Sequence, residues 1–456
     1  MIRSGGALLK KVLIANRGEI AVRVIRACRD LGIGSVAVYS EEDKNSLHVQ
    51  LADERVCIGA GPARDSYLNP ERIISAALNT GADAIHPGYG FLSENAAFAR
   101  KCREFGLTFI GPDPDVIDRM GNKSQARNTM MDAGVPVIPG TREPVFDAGT
   151  ARQQAREIGF PVMIKASSGG GGRGMRQAMT EEDFDFQFEI AQRESANAFG
   201  DDAMYLEKLI ESPRHVEVQI MADTKGSVVA LGERDCSVQR NHQKLIEESP
   251  SPAVSPETRR QMCDAAVLAA RTVGYTNAGT VEFIVDQQGH FYFMEMNTRI
   301  QVEHGVTELV TGTDLVAEQL RVASGLPLSF TQADVTLRGH AIECRVNAEI
   351  PEKNFMPSPG KVTVLHLPGG NGVRVDTALY TGYIVPSDYD SMIAKVLVHA
   401  PTREAAIRKM RAALNETLII GVETNLDFQF RIMHSKVFCE GKADTGFIEK
   451  FAGGGK

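Results

Sequence analysis

Apolar residues in the first third of the chain come in short runs separated by stretches with helical spacing. Residues 11–16 (KVLIAN) form one run, residues 18–32 repeat apolar positions at helical intervals up to Gly32, and residues 35–40 (SVAVYS) form a second run. That order predicts a βαβ unit. It recurs with 82–90 (ADAIHPGYG), the helical 96–106 and 107–112 (LTFIGP), which predicts a parallel, doubly wound sheet. The turn after the first strand, Asn16-Arg17-Gly18-Glu19, lacks the GxGxxG fingerprint, so the sheet is Rossmann-like without an expected dinucleotide.

From about residue 120 to 210 the pattern passes through a helix, a proline-marked stretch and strands flanking a glycine run. Beyond Glu211, alternating segments such as HVEVQIMAD, TVEFIVD and HFYFMEMN predict antiparallel strands, followed by a mixed tail. Three subdomains fit, the middle one small enough to move as a lid.

Composition changes this picture only by exclusion. With 456 residues, 43% apolar and 24% charged, the chain reads as an ordinary globular protein of several subdomains. No apolar run approaches the roughly 18 residues that span a bilayer, and the first residues lack a signal-peptide core, so a cytoplasmic protein without a membrane partner is expected. The net charge of -8 contains no basic block, which argues against nucleic acid. Seven scattered cysteines without CxxC spacing predict buried free thiols.

The densest chemistry lies in TVEFIVDQQGHFYFMEMNTRIQVEH. Asp286 to Gly289 has turn composition, so the flanking runs are expected to pair as a hairpin. If the backbone stays extended, Phe291, Phe293, Glu295, Asn297, Arg299, Gln301 and Glu303 share one face, with Glu282 on the partner strand near Glu295. Two carboxylates and an amide oxygen suit Mg²⁺, although a solvated face of salt bridges would show the same alternation. Lys165 closes an apolar strand before Gly169 to Gly172, Arg173 and Gly174, a loop able to wrap phosphate oxygens or to serve as a plain linker; it is not a Walker A loop. Arg234, Gln239, Arg240, His242 and Lys244 gather in a cationic segment that could hold anions near a nucleotide. Arg345, on a strand with Glu343, could brace an oxyanion, with a salt bridge to Glu343 or Glu349 the plainer account.

The segments IANRGEIAVRVIRA, AIHPGYGFLSEN, KASSGGGGRGM, RHVEVQ, GERDCSVQRNHQK, MEMNTRIQVEH, AIECRVNAE and NFMPSPG together resemble the biotin carboxylase family of the ATP-grasp superfamily, from about Lys11 to Phe451. The resemblance implies an α/β chain with a Rossmann-like N-terminal subdomain (1–120), an ATP-grasp domain (121–324) with a mobile central lid at about 137–210, and a C-terminal α+β subdomain (325–456). It also implies ATP contacts at Lys123, Lys165, Gly171, Gly172, Glu207, Lys208, Leu209, Ile210, His215, His242, Glu282 and Glu295. Glu282, Glu295 and Asn297 would hold Mg²⁺, with Mn²⁺ as a substitute. Lys244, Arg299, Gln301, Val302 and Arg345 would form the bicarbonate and biotin pocket, with Glu303 as base; Lys244, Arg299 and Arg345 join it as catalytic residues.

The implied activity is carboxylation of biotin through carboxyphosphate, the first half-reaction of an acetyl-CoA carboxylase supplying malonyl-CoA for fatty acid synthesis. No Ala-Met-Lys-Met-type biotin attachment sequence occurs, so a separate biotin carboxyl carrier protein and carboxyltransferase are the expected partners, with a homodimer implied by the family. Subunits of other acyl-CoA carboxylases, ATP-grasp carboxylate-amine ligases and a silent nucleotide-binding regulator remain alternatives. Two departures stand out. Gly305 occupies a position where the family reads proline, which predicts a looser backbone at Glu303 and His304, and the residues before Lys11 are an extension expected to be disordered.

Overall fold

The computed structural model describes residues 8–166 and 175–452, so Gly171 and Gly172 of the glycine run lie outside the described residues. β1 (Lys11–Ile14), β2 (Gly34–Ser40), β3 (Glu54–Gly59), β4 (Ala84–His86) and β5 (Thr108–Phe109) make a sheet in the order β3-β2-β1-β4-β5, parallel throughout. Helices cover both faces, so Val12, Leu13 and Ile14 are all fully buried, which is why this strand is a continuous apolar run. Part of the extension is ordered, contrary to expectation. Leu8 and Leu9 pack against the core beneath the sheet, and the Leu9 amide donates to Ser324 Oγ at 3.1 Å.

β6 (Val162–Ala166), β7 (Met175–Ala178) and β8 (Met204–Lys208) form a small antiparallel sheet in the order β7-β6-β8. Helices Ala148–Ile158 and Glu181–Phe199 complete it around a core of its own that includes Ile164, Phe184, Phe188 and Leu206. Phe184 and Phe188 stack four residues apart on one helix face, with ring centroids 5.8 Å apart.

The largest sheet has eight antiparallel strands, with three small two-stranded ladders in the C-terminal part. β9 (Arg214–Ala222), β10 (Val228–Arg240), β11 (Gln243–Ser249), β12 (Asn277–Val285), β13 (Phe291–Asn297) and β14 (His340–Asn347) join strands Met392–Ala400 and Val373–Thr377. The order is β13-β12-β9-β10-β11-β14, then Met392–Ala400, then Val373–Thr377. The sheet therefore runs without a break from the central part of the chain into its C-terminal part, joined by the β11–β14 ladder from Ile246↔Cys344 to Ser249↔Ala341.

The hairpin around Asp286 forms as expected, but its second strand is not extended from Phe291 to Glu303. Glu282 pairs with Glu295 and Phe283 with Phe293, so Met294 is an extra residue that inverts the alternation. Phe293 and Met296, three apart, consequently enter the same core as Phe283, while Glu295 and Asn297 stay together on one side of the break. Strand geometry ends at Asn297, and 298–303 turn because Ile300 is drawn into a different core alongside Met221 and Ala278. The cysteines also differ from expectation: all seven are free, but Cys57 is exposed and Cys263 and Cys439 are only half-buried.

Arg234 anchors the middle of the large sheet. Its guanidinium is fully buried and donates to Glu217 Oε1 and Gln219 Oε1 at 2.6 Å, to Thr307 Oγ1 at 3.0 Å and to Thr280 Oγ1 at 3.2 Å. This side chain is thus structural, separated from the anion-holding role expected of its segment. Removing one partner of a buried ion pair strands the other in low dielectric. Replacing Arg234 with Met is expected to destabilise the fold by about 3–5 kcal/mol, measured as a lowered urea midpoint at neutral pH.

Candidate active site

Lys244, on β11, stands at the centre of the site. Its ammonium lies 2.6 Å from Glu217 Oε2, 2.6 Å from Glu303 Oε1, 3.2 Å from Glu282 Oε1 and 3.2 Å from Gln301 Oε1. Strand alternation explains the convergence. His215, Glu217 and Gln219 on β9 alternate with buried Val216, Val218 and Ile220, and Glu282 is the register partner of Glu217. A buried cation facing three carboxylates is held charged: burial alone would lower the Lys244 pKa, but Cys236, Glu217, Glu282 and Glu303 raise it well above the lysine range.

Glu303 is fully buried at the start of helix His304–Thr311, and its two oxygens are taken by different cations. Lys244 binds Oε1, while an Arg345 NH2 group donates to Oε2 at 2.9 Å. Burial would raise this carboxyl, yet Lys244, Arg345 and Arg234 outweigh it and hold Glu303 well below the ordinary carboxylate range. Arg345 also donates to Glu247 Oε1 at 2.6 Å, so its partners are Glu247 and Glu303, and neither Glu343 nor Glu349. The guanidinium reaches across to the neighbouring strand because Glu247 is the register partner of Glu343, diagonal to Arg345.

Glu282 is shared by several donors. Oε1 accepts from Lys244, from Asn297 Nδ2 at 2.8 Å and from Gln301 Nε2 at 2.8 Å, while Oε2 meets His215 Nε2 at 2.8 Å. Arg299 is held by Glu94, Nε to Oε2 at 2.9 Å, and donates to Asn297 Oδ1 at 3.0 Å. Toward solvent, Lys123 pairs with Glu295 at 3.0 Å, Lys165 pairs with Glu207, and Lys208 Nζ donates to the Gly159 and Phe160 carbonyls at 2.9 and 2.7 Å. Leu209 and Ile210 follow at the end of β8, the Leu209 amide donating to the Pro161 carbonyl at 3.0 Å. His242 is exposed in the β10–β11 turn, away from the buried cluster, with φ 49° at Asn241 and 63° at His242 itself.

Two positions can be compared as homes for a divalent ion. His215, Glu217 and Glu282 approach within 4.8 Å of one another, as do Glu217, Cys236 and Glu303, but the Lys244 ammonium already neutralises that interior. A set that opens outward from buried Glu282 through Asn297 to Glu295 is all-oxygen, and its Glu295 is 31% exposed where a nucleotide-borne ion could reach it.

Sequence reasoning missed Glu94, Glu217 and Glu247. For Glu217 the signal was available, since polar residues alternating through an interior strand mark a polar face inside the protein. Gly305 differs from expectation: its backbone is helical, and a Cβ there would stand 2.4 Å from Leu397 Cδ2, so the space is filled rather than loose.

The three-part scaffold and this donor set define an ATP-grasp enzyme. Family models agree along the chain: biotin carboxylase, N-terminal domain, at 8–117; carbamoyl-phosphate synthase L chain, ATP binding domain, at 122–331; and biotin carboxylase C-terminal domain at 343–450. Biotin carboxylase 1 of Bacillus subtilis is 58% identical over 445 residues, covering 97% of this chain and 99% of that protein. A pyruvate carboxylase subunit of Methanothermobacter thermautotrophicus is 53% identical over 447 residues, covering 98% and 91%. The biotin carboxylase domain dimer of Hydrogenobacter thermophilus 2-oxoglutarate carboxylase, solved with MgADP, ADP and bicarbonate, superposes with a TM-score of 0.90 at 50% identity, covering 97% and 98%. This chain belongs to the biotin carboxylase family and is an ATP-dependent ligase acting on biotin.

Glu343 gives the site a measurable signature. Both its oxygens are buried without a hydrogen-bond partner among the described residues, and burial pushes its pKa well above the ordinary carboxylate range, so the folded chain holds a proton there that the unfolded chain releases. Stability from this group is lost as pH rises through the unfolded value toward the raised folded one. Glu343→Gln, neutral at every pH, is therefore expected to unfold at a higher temperature than wild type near pH 8. The difference should close as pH falls to about 4.5, as followed by scanning calorimetry.

Proposed function

We propose that this chain carboxylates biotin carried on a separate biotin carboxyl carrier protein, using ATP and bicarbonate, as the first half-reaction of an acetyl-CoA carboxylase. The observation that supports the chemistry most directly is the double grip on Glu303 by Lys244 and Arg345, which gathers a base and two anion-binding cations in one buried place. With both oxygens bound, Glu303 is a weak base. An entering bicarbonate that drew the two cations to itself would free Glu303 to take its proton.

The deprotonated bicarbonate oxygen would attack the γ-phosphoryl group of ATP as the bond to the β-phosphate breaks, giving carboxyphosphate and ADP. Carboxyphosphate would then release CO₂ and phosphate, and the phosphate would remove the ureido N1′ proton of biotin. Arg345, with Lys244, Arg299, Gln301 and Val302 around it, would steady the enolate oxygen while CO₂ is captured. Lys123, Lys165, Gly171, Gly172, Glu207, Lys208, Leu209, Ile210, His215 and His242 would seat the nucleotide. Glu282, Glu295 and Asn297 would hold Mg²⁺, which when bound would neutralise phosphate charge. The small β6–β8 unit closing over these groups would keep water from the short-lived intermediate.

We further read the protein as a cytoplasmic homodimer working with a carboxyltransferase; the dimeric state of the Hydrogenobacter thermophilus domain supports the homodimer. The acceptor is the finer question. A second reading, with pyruvate or 2-oxoglutarate as acceptor, draws on the two relatives of those carboxylases, which match at 53% and 50% identity. Purification with native partners, followed by transfer assays on acetyl-CoA, propionyl-CoA, pyruvate and 2-oxoglutarate, separates these: acetyl-CoA is the expected acceptor, and transfer to a keto acid alone would reassign it.

For the half-reaction itself, ADP release should require bicarbonate and rise with free biotin. Glu303→Gln should keep ATP affinity within about threefold while carboxybiotin formation falls by a factor of about 10²–10⁴. ADP release indifferent to both additions would reject the proposed activity, and near-wild-type carboxylation by the variant would reject Glu303 as base.

A further inference from the structure

Lys395 is a fully buried lysine that none of the steps above uses. It sits on strand Met392–Ala400, between β14 and strand Val373–Thr377, and its register partners are Arg345 on one side and Asp376 on the other. Asp376, Lys395 and Arg345 therefore form one row across three strands, with side chains on the same sheet face.

The two cations of this row reach consecutive residues of the catalytic turn. Arg345 binds the Glu303 carboxylate at 2.9 Å, and Lys395 Nζ donates to the Val302 carbonyl at 2.6 Å. That carbonyl belongs to the peptide joining Val302 to Glu303, whose plane fixes where the Glu303 side chain leaves the backbone. The other partners of Lys395 come from distant parts of the chain: Glu19 Oε1 at 3.2 Å, from helix Gly18–Asp30 of the N-terminal sheet, and Asp376 Oδ2 at 3.8 Å. Asp376 has a second cation in Arg374, which binds both its oxygens at 2.9 and 2.7 Å.

A buried ammonium needs partners for three N–H groups. If Lys395 served only to tie two parts of the chain together, carboxylates alone would satisfy it. Its shortest contact is instead the carbonyl of the residue before the base. Across the turn, His304 Nδ1 lies 2.8 Å from the Gln301 carbonyl, so the peptide groups flanking Val302 are held from both sides.

We infer that Lys395 is a positioning residue for bicarbonate activation, holding the Val302–Glu303 peptide so that the Glu303 carboxylate lies between Lys244 and Arg345. It acts through Glu303 and touches no substrate. The inference rests on Glu303 being the base for bicarbonate, and misplacing a reacting group by about 1 Å can cost about 10²-fold in rate.

The test is steady-state kinetics of bicarbonate-dependent ADP release by Lys395→Met, with wild type alongside. A fall in kcat of about tenfold or more, with a comparable rise in KM for bicarbonate and KM for ATP within about threefold, is expected. A structural role alone would lower the active fraction without separating the two KM values. Wild-type kinetics, or equal rises in both KM values, would overturn the inference. Loss of bicarbonate dependence in wild type would instead sink the underlying reading of Glu303.

If Lys395→Met does not fold, Glu19→Gln decides the matter, because it removes an ion-pair partner but leaves the contact with Val302. Its kcat and bicarbonate KM are expected within about threefold of wild type. A tenfold loss there would assign the effect to the ion pair and overturn the positioning role.

Discussion

Three buried carboxylates around one ammonium set the terms for the rest of this protein. Glu217, Glu282 and Glu303 could not share a dry interior without Lys244 among them, because desolvation of each anion exceeds what any single hydrogen bond returns. The scaffold is organised to make that arrangement tolerable. Arg234 neutralises Glu217 from the neighbouring strand, Arg345 takes the second oxygen of Glu303, and His215, Asn297 and Gln301 complete the shell of Glu282. Each of these groups arrives on a different strand or on the turn after β13, so the large sheet is the frame that keeps opposite charges in register.

The same constraint explains how much of the site could be read from the sequence. Residues carried by uninterrupted strands were legible: the parallel N-terminal sheet and the Asp286 hairpin both follow from the residue pattern. Legibility failed where periodicity is interrupted. The extra residue Met294 exchanges the two sides of β13, and the descent of Ile300 into a separate core turns the chain, so Gln301 and Glu303 reach the site by a bend and not by extended pairing. Such breaks depend on contacts distant in sequence and leave no local period to detect.

Pairing between strands was the other blind spot. Arg345 has an acidic residue two positions before it, yet it binds Glu247, which only the β11–β14 alignment brings near. Gly305 is similar: a glycine replacing proline reads as freedom, whereas Leu397 from a strand nearly a hundred positions on occupies the space a side chain would need. Glu94 belongs to the same class, since its hold on Arg299 bridges the N-terminal part of the chain and the turn after β13.

The unbroken eight-stranded sheet also bears on how relatives of this chain can be recombined. The match to the ATP-binding family model ends at residue 331, and the match to the C-terminal model begins at 343, which invites a crossover between them. Yet β14 starts at His340 and is hydrogen-bonded to β11, so the pieces on either side of that junction share one ladder. A hybrid joined there must inherit both the Glu247↔Glu343 alignment and the fit of Leu397 against Gly305 from parents that agree on them. In evolutionary terms, the C-terminal third is a poor candidate for independent exchange, because it supplies Arg345 and Leu397 to one wall of the candidate site and is not an appendage to it.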